Sequence, residues 1–131
     1  MNIGEAARAT GISAKMIRYY EEIGLIGRAD RSAANYRSFE PRDVNELRFV
    51  KRARSLGFSV KEIGRLLSLW RDRQRPSREV KAIAERHVVD LEARIAEMQA
   101  MADTLRELSH CCAGDDRPEC PILTDLAEVH A

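Results

Sequence analysis

Aromatic residues are scarce in this chain, at 5% of its 131 residues, so a hydrophobic core has to be built from aliphatic side chains. No apolar run approaches the roughly 20 residues that a membrane-spanning helix needs. The opening stretch Met1-Asn2-Ile3-Gly4-Glu5 has neither the basic flank nor the apolar centre of a signal peptide, so the expected compartment is the cytoplasm. There is no glycine-rich phosphate loop. His87, His110 and His130 have no nearby Ser, Cys or Asp in a catalytic arrangement, so an enzyme is not expected. Cysteine is limited to Cys111, Cys112 and Cys120, all within the last 21 residues. An odd, clustered set of this kind argues against a disulfide framework and for metal or redox chemistry.

What the chain does have is charge, unevenly placed. Residues 1 to 70 carry 13 Lys/Arg against 8 Asp/Glu, and residues 71 to 131 carry 9 against 13. The balance of +5 in the first part suits a phosphate backbone, and the balance of −4 in the second does not.

The first 20 residues read as two short helices around a tight break. Ile3, Ala6, Ala7 and Ala9 form the apolar face of the first, Thr10-Gly11 ends it, and Ser13 caps the second. Met16, Ile17 and Tyr20 give that second helix its apolar face. A helix, a glycine-containing turn and a helix make a helix-turn-helix pattern. Lys15, Arg18 and Tyr19 lie off the apolar face, where they can reach phosphates or base edges. The segment from Leu25 to Phe39 is turn-rich around Asp30–Asn35 and alternates over Tyr36–Phe39, which predicts a β-hairpin wing carrying Arg31, Tyr36 and Arg37. Helices follow from Pro41 to Leu56 and, behind the Ser59–Glu62 capping box, to Trp70.

After a polar linker from Arg71 to Pro76, neither Gly nor Pro occurs between Ser77 and Ser109. Ala84, Val88, Leu91, Ile95, Met98, Ala102 and Leu105 recur there at spacings of four and three, the seam of a coiled coil. A helix of this length spans about 50 Å and cannot cover its own stripe, so a homodimer is expected. Pro121 then opens a final two-turn helix through Ile122, Leu123, Leu126 and Val129. The expected fold is mainly α. A winged helix-turn-helix DNA-binding domain occupies 1–70, a coiled-coil dimerisation helix 77–109, and a metal-binding loop with a short helix 110–131.

The run Ile17-Arg18-Tyr19-Tyr20-Glu21, with Gly24-Leu25-Ile26, Asn35-Tyr36-Arg37 and Gly57-Phe58-Ser59, resembles the MerR family of transcriptional activators over nearly the whole chain. Cys112, Cys120 and Pro121-Ile122-Leu123 are similar to the copper-efflux regulators of that family, and His110 to Asp115 to its gold-sensing regulators. The resemblance implies an antiparallel coiled-coil dimer on a palindromic operator within an overlong promoter spacer. It also implies that metal binding distorts the bound promoter DNA until RNA polymerase can use it.

Two thiolates eight residues apart can close on one soft ion, and soft sulfur favours Cu(I), Ag(I) or Au(I) over hard cations. Structural zinc wants four ligands and usually a tighter cysteine spacing. Cys112 and Cys120 are therefore the expected ligands, with Cys111 and His110 left open as a third donor. In the implied antiparallel pair, Ser77 sits opposite Ser109 of the partner subunit, so Ser77 and Lys81 would lie against that subunit's cysteine loop. Divalent-metal relatives carry a cysteine at the position matching Ser77, whereas this chain supplies a hydroxyl. Lys81 and the N-terminus of the last helix would offset the net −1 of a monovalent ion held by two thiolates. Two rival regulators share the fold: a thiol redox sensor joining Cys112 to Cys120, and a drug sensor. The drug sensor would need a large domain after the long helix, where only about 20 residues remain.

Overall fold

The computed structural model describes residues 1–27, 30–31 and 37–130. In chain order they form α1 (Ile3–Thr10), α2 (Ala14–Glu22), β1 (Asp30–Arg31), β2 (Arg37–Ser38), α3 (Pro41–Ser55), α4 (Val60–Arg71), α5 (Ser77–Cys111) and α6 (Pro121–Ala127). The chain divides into two units, Met1–Ile83 and Ala84–Ala131.

Short polar signals set the helix ends of the first unit. Asn2 Oδ1 accepts from the Glu5 N–H at 2.8 Å, and Glu5 Oε1 accepts from the Asn2 N–H at 3.2 Å, a reciprocal box that starts α1. Gly11 ends α1 with φ 73°, a left-handed conformation in which a side chain is strained, and the flexible end of Lys51 fills the space where a Cβ would stand. Ser13 Oγ accepts from Met16 N–H at 3.2 Å and starts α2. The Ser59–Glu62 box starts α4, with both bonds formed at 3.0 and 3.2 Å.

These helices bury one aliphatic core in which Ile17, Leu47, Val50, Ile63 and Leu67 are fully enclosed. Each such side chain stabilises the fold by about 1.5–3 kcal/mol relative to exposure. Phe39 and Leu25 join the same cluster. The Phe39 N–H donates to the Met1 carbonyl at 2.6 Å, and the Met1 ammonium donates back to the Phe39 carbonyl at 2.9 Å. The start of the chain is thereby tied to the end of β2. β1 and β2 pair antiparallel, with Asp30 opposite Ser38 and Arg31 opposite Arg37.

In the second unit α5 runs on to Cys111, two residues past the expected end. His87 is its one buried residue among those described, while Val88, Ile95, Met98 and Leu105 stand exposed. Two expectations need correction. Val129 does not belong to the last helix: α6 stops at Ala127, Glu128 turns to extended backbone, and Val129 is 99% exposed. Arg71 is not part of a linker but the last residue of α4, drawn in by a buried carboxylate on α3.

Candidate DNA-reading surface and metal centre

On α2 the period of the helix separates two roles. Ile17 and Tyr20 point into the core, while Lys15 and Arg18 are exposed and Tyr19 is 44% exposed. Only the backbone of Arg31 and Arg37 is described, and it places the two residues directly across the β1–β2 pair. Tyr36 lies outside the described residues. More basic residues stand on α3 than the sequence pattern singled out: Arg48, Lys51, Arg52 and Arg54 are all exposed. Arg48 Nη2 donates to the Ala9 carbonyl at 3.5 Å and Lys51 lies beside Gly11, which puts two cations at the C-terminal end of α1. Their spacing of three and four along one helix was the signal that could have marked them.

The cysteines are brought together at the end of α5. Cys112 Sγ lies 3.9 Å from Cys120 Sγ, and both side chains are partly buried. The loop between them folds on itself: Gly114 takes φ 66°, and Asp115 accepts from the Arg117 backbone N–H at 2.9 Å and from its Nε at 2.8 Å. Cys120 is the residue before Pro121, so its side chain faces the first turn of α6. The backbone N–H groups of the first turn of α6, Leu123 foremost and then Ile122, hold the Cys120 thiol below the ordinary value; the Cys112 thiol adds to this, and burial opposes it. Cys111 is the last residue of α5 and is exposed, apart from this pair. Ser77 opens α5 and Lys81 follows one turn later, both exposed. They belong to the first unit, whereas the cysteines belong to the second.

A second donor set went unnoticed in the sequence. Asp125, Glu128 and His130 each place a ligand atom within 4.8 Å of the others, at spacings of three and two. One nitrogen and two oxygens make a harder set than two sulfurs.

Residues 1–70 match the family described as MerR HTH family regulatory protein, and residues 44–108 that described as MerR, DNA binding. Over its full 131 residues the chain is 56% identical to heavy metal-dependent transcription regulator 2 of Rhizobium meliloti, covering 89% of that protein. The chain belongs to the MerR family. It is 40% identical to the HTH-type transcriptional regulator CueR of Salmonella typhimurium, over 97% of this chain and 92% of that one. The lead(II) complex of PbrR691 from Ralstonia metallidurans CH34 has the same fold, with a TM-score of 0.84 at 29% identity over 97% of this chain and 99% of that one. This MerR-family chain is thus a DNA-binding, heavy metal-dependent transcription regulator rather than an enzyme. Among the described residues no helix is long and apolar enough to cross a membrane.

Proposed function

We propose that this regulator responds to a soft monovalent ion, Cu(I) first and Ag(I) or Au(I) as alternatives, held by Cys112 and Cys120. The carrying observation is the 3.9 Å between their sulfurs. With a metal–thiolate bond of about 2.3 Å, two sulfurs at that separation can both reach one ion. The ion supplies a strong bond to each thiolate; the chain supplies the thiolates, the folded loop that holds them and the backbone N–H groups that stabilise Cys120 as an anion. Ser77 contributes to selectivity by what it lacks, since a hydroxyl is a poor third donor for a divalent thiophilic ion. Lys81 would offset the remaining negative charge.

In this reading two copies pair through α5 in antiparallel fashion and bind a palindromic promoter. Lys15, Arg18 and Tyr19 contact DNA from α2, and Arg31, Tyr36 and Arg37 from the wing. Metal binding then distorts the promoter so that RNA polymerase in the cytoplasm can transcribe metal-efflux genes. The same sulfur separation also favours a second reading, a Cys112–Cys120 disulfide as the signal. Anaerobic titration with Cu(I), followed by ultraviolet absorption, separates the two. A thiolate-to-metal band saturating at one ion per site, and absent in Cys112→Ser and Cys120→Ser, is expected. A reduced protein that develops no band contradicts the metal reading.

A further inference from the structure

We propose that Asp125, Glu128 and His130 form a second metal site, one for a divalent ion of borderline softness such as Zn(II). It stands apart from the thiolate pair and does not depend on the monovalent reading above. α6 ends at Ala127, and Glu128 turns to extended backbone at φ −75° and ψ 156°. From there the chain comes back to the helix it has just left. One oxygen gathers the three residues: the Asp125 carbonyl accepts from the Glu128 N–H at 3.2 Å and from His130 Nε2 at 2.8 Å. One ligand atom from each residue consequently lies within 4.8 Å of the other two, and His130 Nε2 is 3.8 Å from Asp125 Oδ2.

Those distances suit a shared ion. Zinc bonds of about 2.0–2.2 Å put two donors at most about 4.3 Å apart on one ion. The Asp125–His130 pair is already inside that limit. At 4.8 Å the full set needs a closure of about half an ångström, which the exposed Glu128 side chain supplies by a small rotation. Charge points to a cation. Residues 118–131 hold Glu119, Asp125 and Glu128 but no Lys or Arg. Two carboxylates with a neutral imidazole carry −2, which a divalent ion cancels. The donor types set its class: imidazole suits zinc and its neighbours, carboxylate suits harder ions, and a mixed set falls between them. The sulfurs of Cys112 and Cys120 are softer, so the two sites sort metals by hardness. Asp125 and Glu128 also line an open groove of about 520 Å³ beside Cys120, with room for the waters that complete the ion's shell. Without metal, His130 Nε2–H donates to the Asp125 carbonyl; binding takes the Nδ1–H tautomer, which frees the Nε2 lone pair.

The test uses the full chain carrying Cys111→Ser, Cys112→Ser and Cys120→Ser, so that no thiolate competes for the ion. Zn(II) is titrated by equilibrium dialysis while the imidazole nitrogens are followed by NMR. One Zn(II) per chain is expected, with the His130 Nε2 resonance moved and those of His87 and His110 in place. His130→Ala and Asp125→Asn should each weaken binding at least about tenfold, and Glu128→Gln about threefold. Asp116→Asn, an equal loss of charge within the cysteine loop, should leave binding within about twofold, because a screened surface charge acts weakly at a distance. His130→Gln separates a ligand from a helix cap. Its amide can still donate to the Asp125 carbonyl but is a poor zinc donor, so it should behave as His130→Ala does. Full Zn(II) binding in His130→Ala, an unmoved His130 resonance or recovery in His130→Gln overturns the site. So does an Asp116→Asn variant that loses as much affinity as Asp125→Asn.

Discussion

Residues 1–83 enclose Ile17, Leu47, Val50, Ile63 and Leu67 completely, whereas residues 84–131 bury His87 alone among those described. The first unit therefore carries its own core, and its surface is left for reading DNA. The second presents Val88, Ile95, Met98 and Leu105 along one long helix, at exposures of 50%, 64%, 67% and 53%. A stripe of that kind is stable in water only when another helix covers it. The contrast assigns the two units different sources of stability, one internal and one shared with the proposed partner copy.

The sharpest way to break the contrast is to charge the shared face. Leu91→Asp with Ile95→Asp places unpaired charges in the seam, each costing several kcal/mol or so if buried. Sedimentation should show monomer and operator binding should vanish, while the circular dichroism of α1–α4 persists; a stable dimer rejects the seam. The converse change is Leu47→Ala in the closed core, expected to lower stability by about 2–5 kcal/mol in thermal unfolding while leaving association intact. A loss well under 1 kcal/mol would contradict the burial of Leu47.

On the DNA-reading surface the effects should be smaller. Arg18→Ala is expected to weaken operator binding by about 1–3 kcal/mol, and Arg37→Ala to reduce the salt slope by about one, both with the Cu(I) band unchanged. Unaltered affinity and slope in mobility-shift titrations remove those residues from the surface. The smallest change expected is a gain: Ser77→Cys should add response to Zn(II), Cd(II) or Hg(II) without removing that to Cu(I). Divalent response that stays at background in a reporter assay refutes the placement of residue 77 against the partner's cysteine loop.

Legibility in the sequence followed the range of the interaction. Ser13, Gly11 and the Ser59–Glu62 box act within three or four residues, and the helix ends they predict are the ends observed to within a residue. The proximity of Cys112 and Cys120 was readable because eight residues with a glycine can close on themselves. Arg71 was misread because its partner, Glu46, is 25 residues away and no local pattern announces it. Val129 departs from its pattern for the opposite reason: its spacing continues the apolar face of α6, but among the described residues no neighbouring surface buries it to reward one more turn. The basic residues of α3 were passed over because amphipathic helices commonly carry such charges, and only the fold puts Arg48 and Lys51 beside the end of α1.

In the proposed function one thiolate pair, Cys112 with Cys120, decides which metals switch the DNA-binding unit. The most direct measurement is a reporter driven by the native promoter, read metal by metal in the parent, Cys112→Ser and Cys120→Ser, with operator binding followed in parallel. The account predicts induction of the parent by Cu(I), Ag(I) and Au(I), background levels with Zn(II), Cd(II), Hg(II) and Pb(II), and no induction of either serine variant although both still bind the operator. Induction of the parent by a divalent ion, metal response surviving in a serine variant, or loss of operator binding with the cysteines would contradict it.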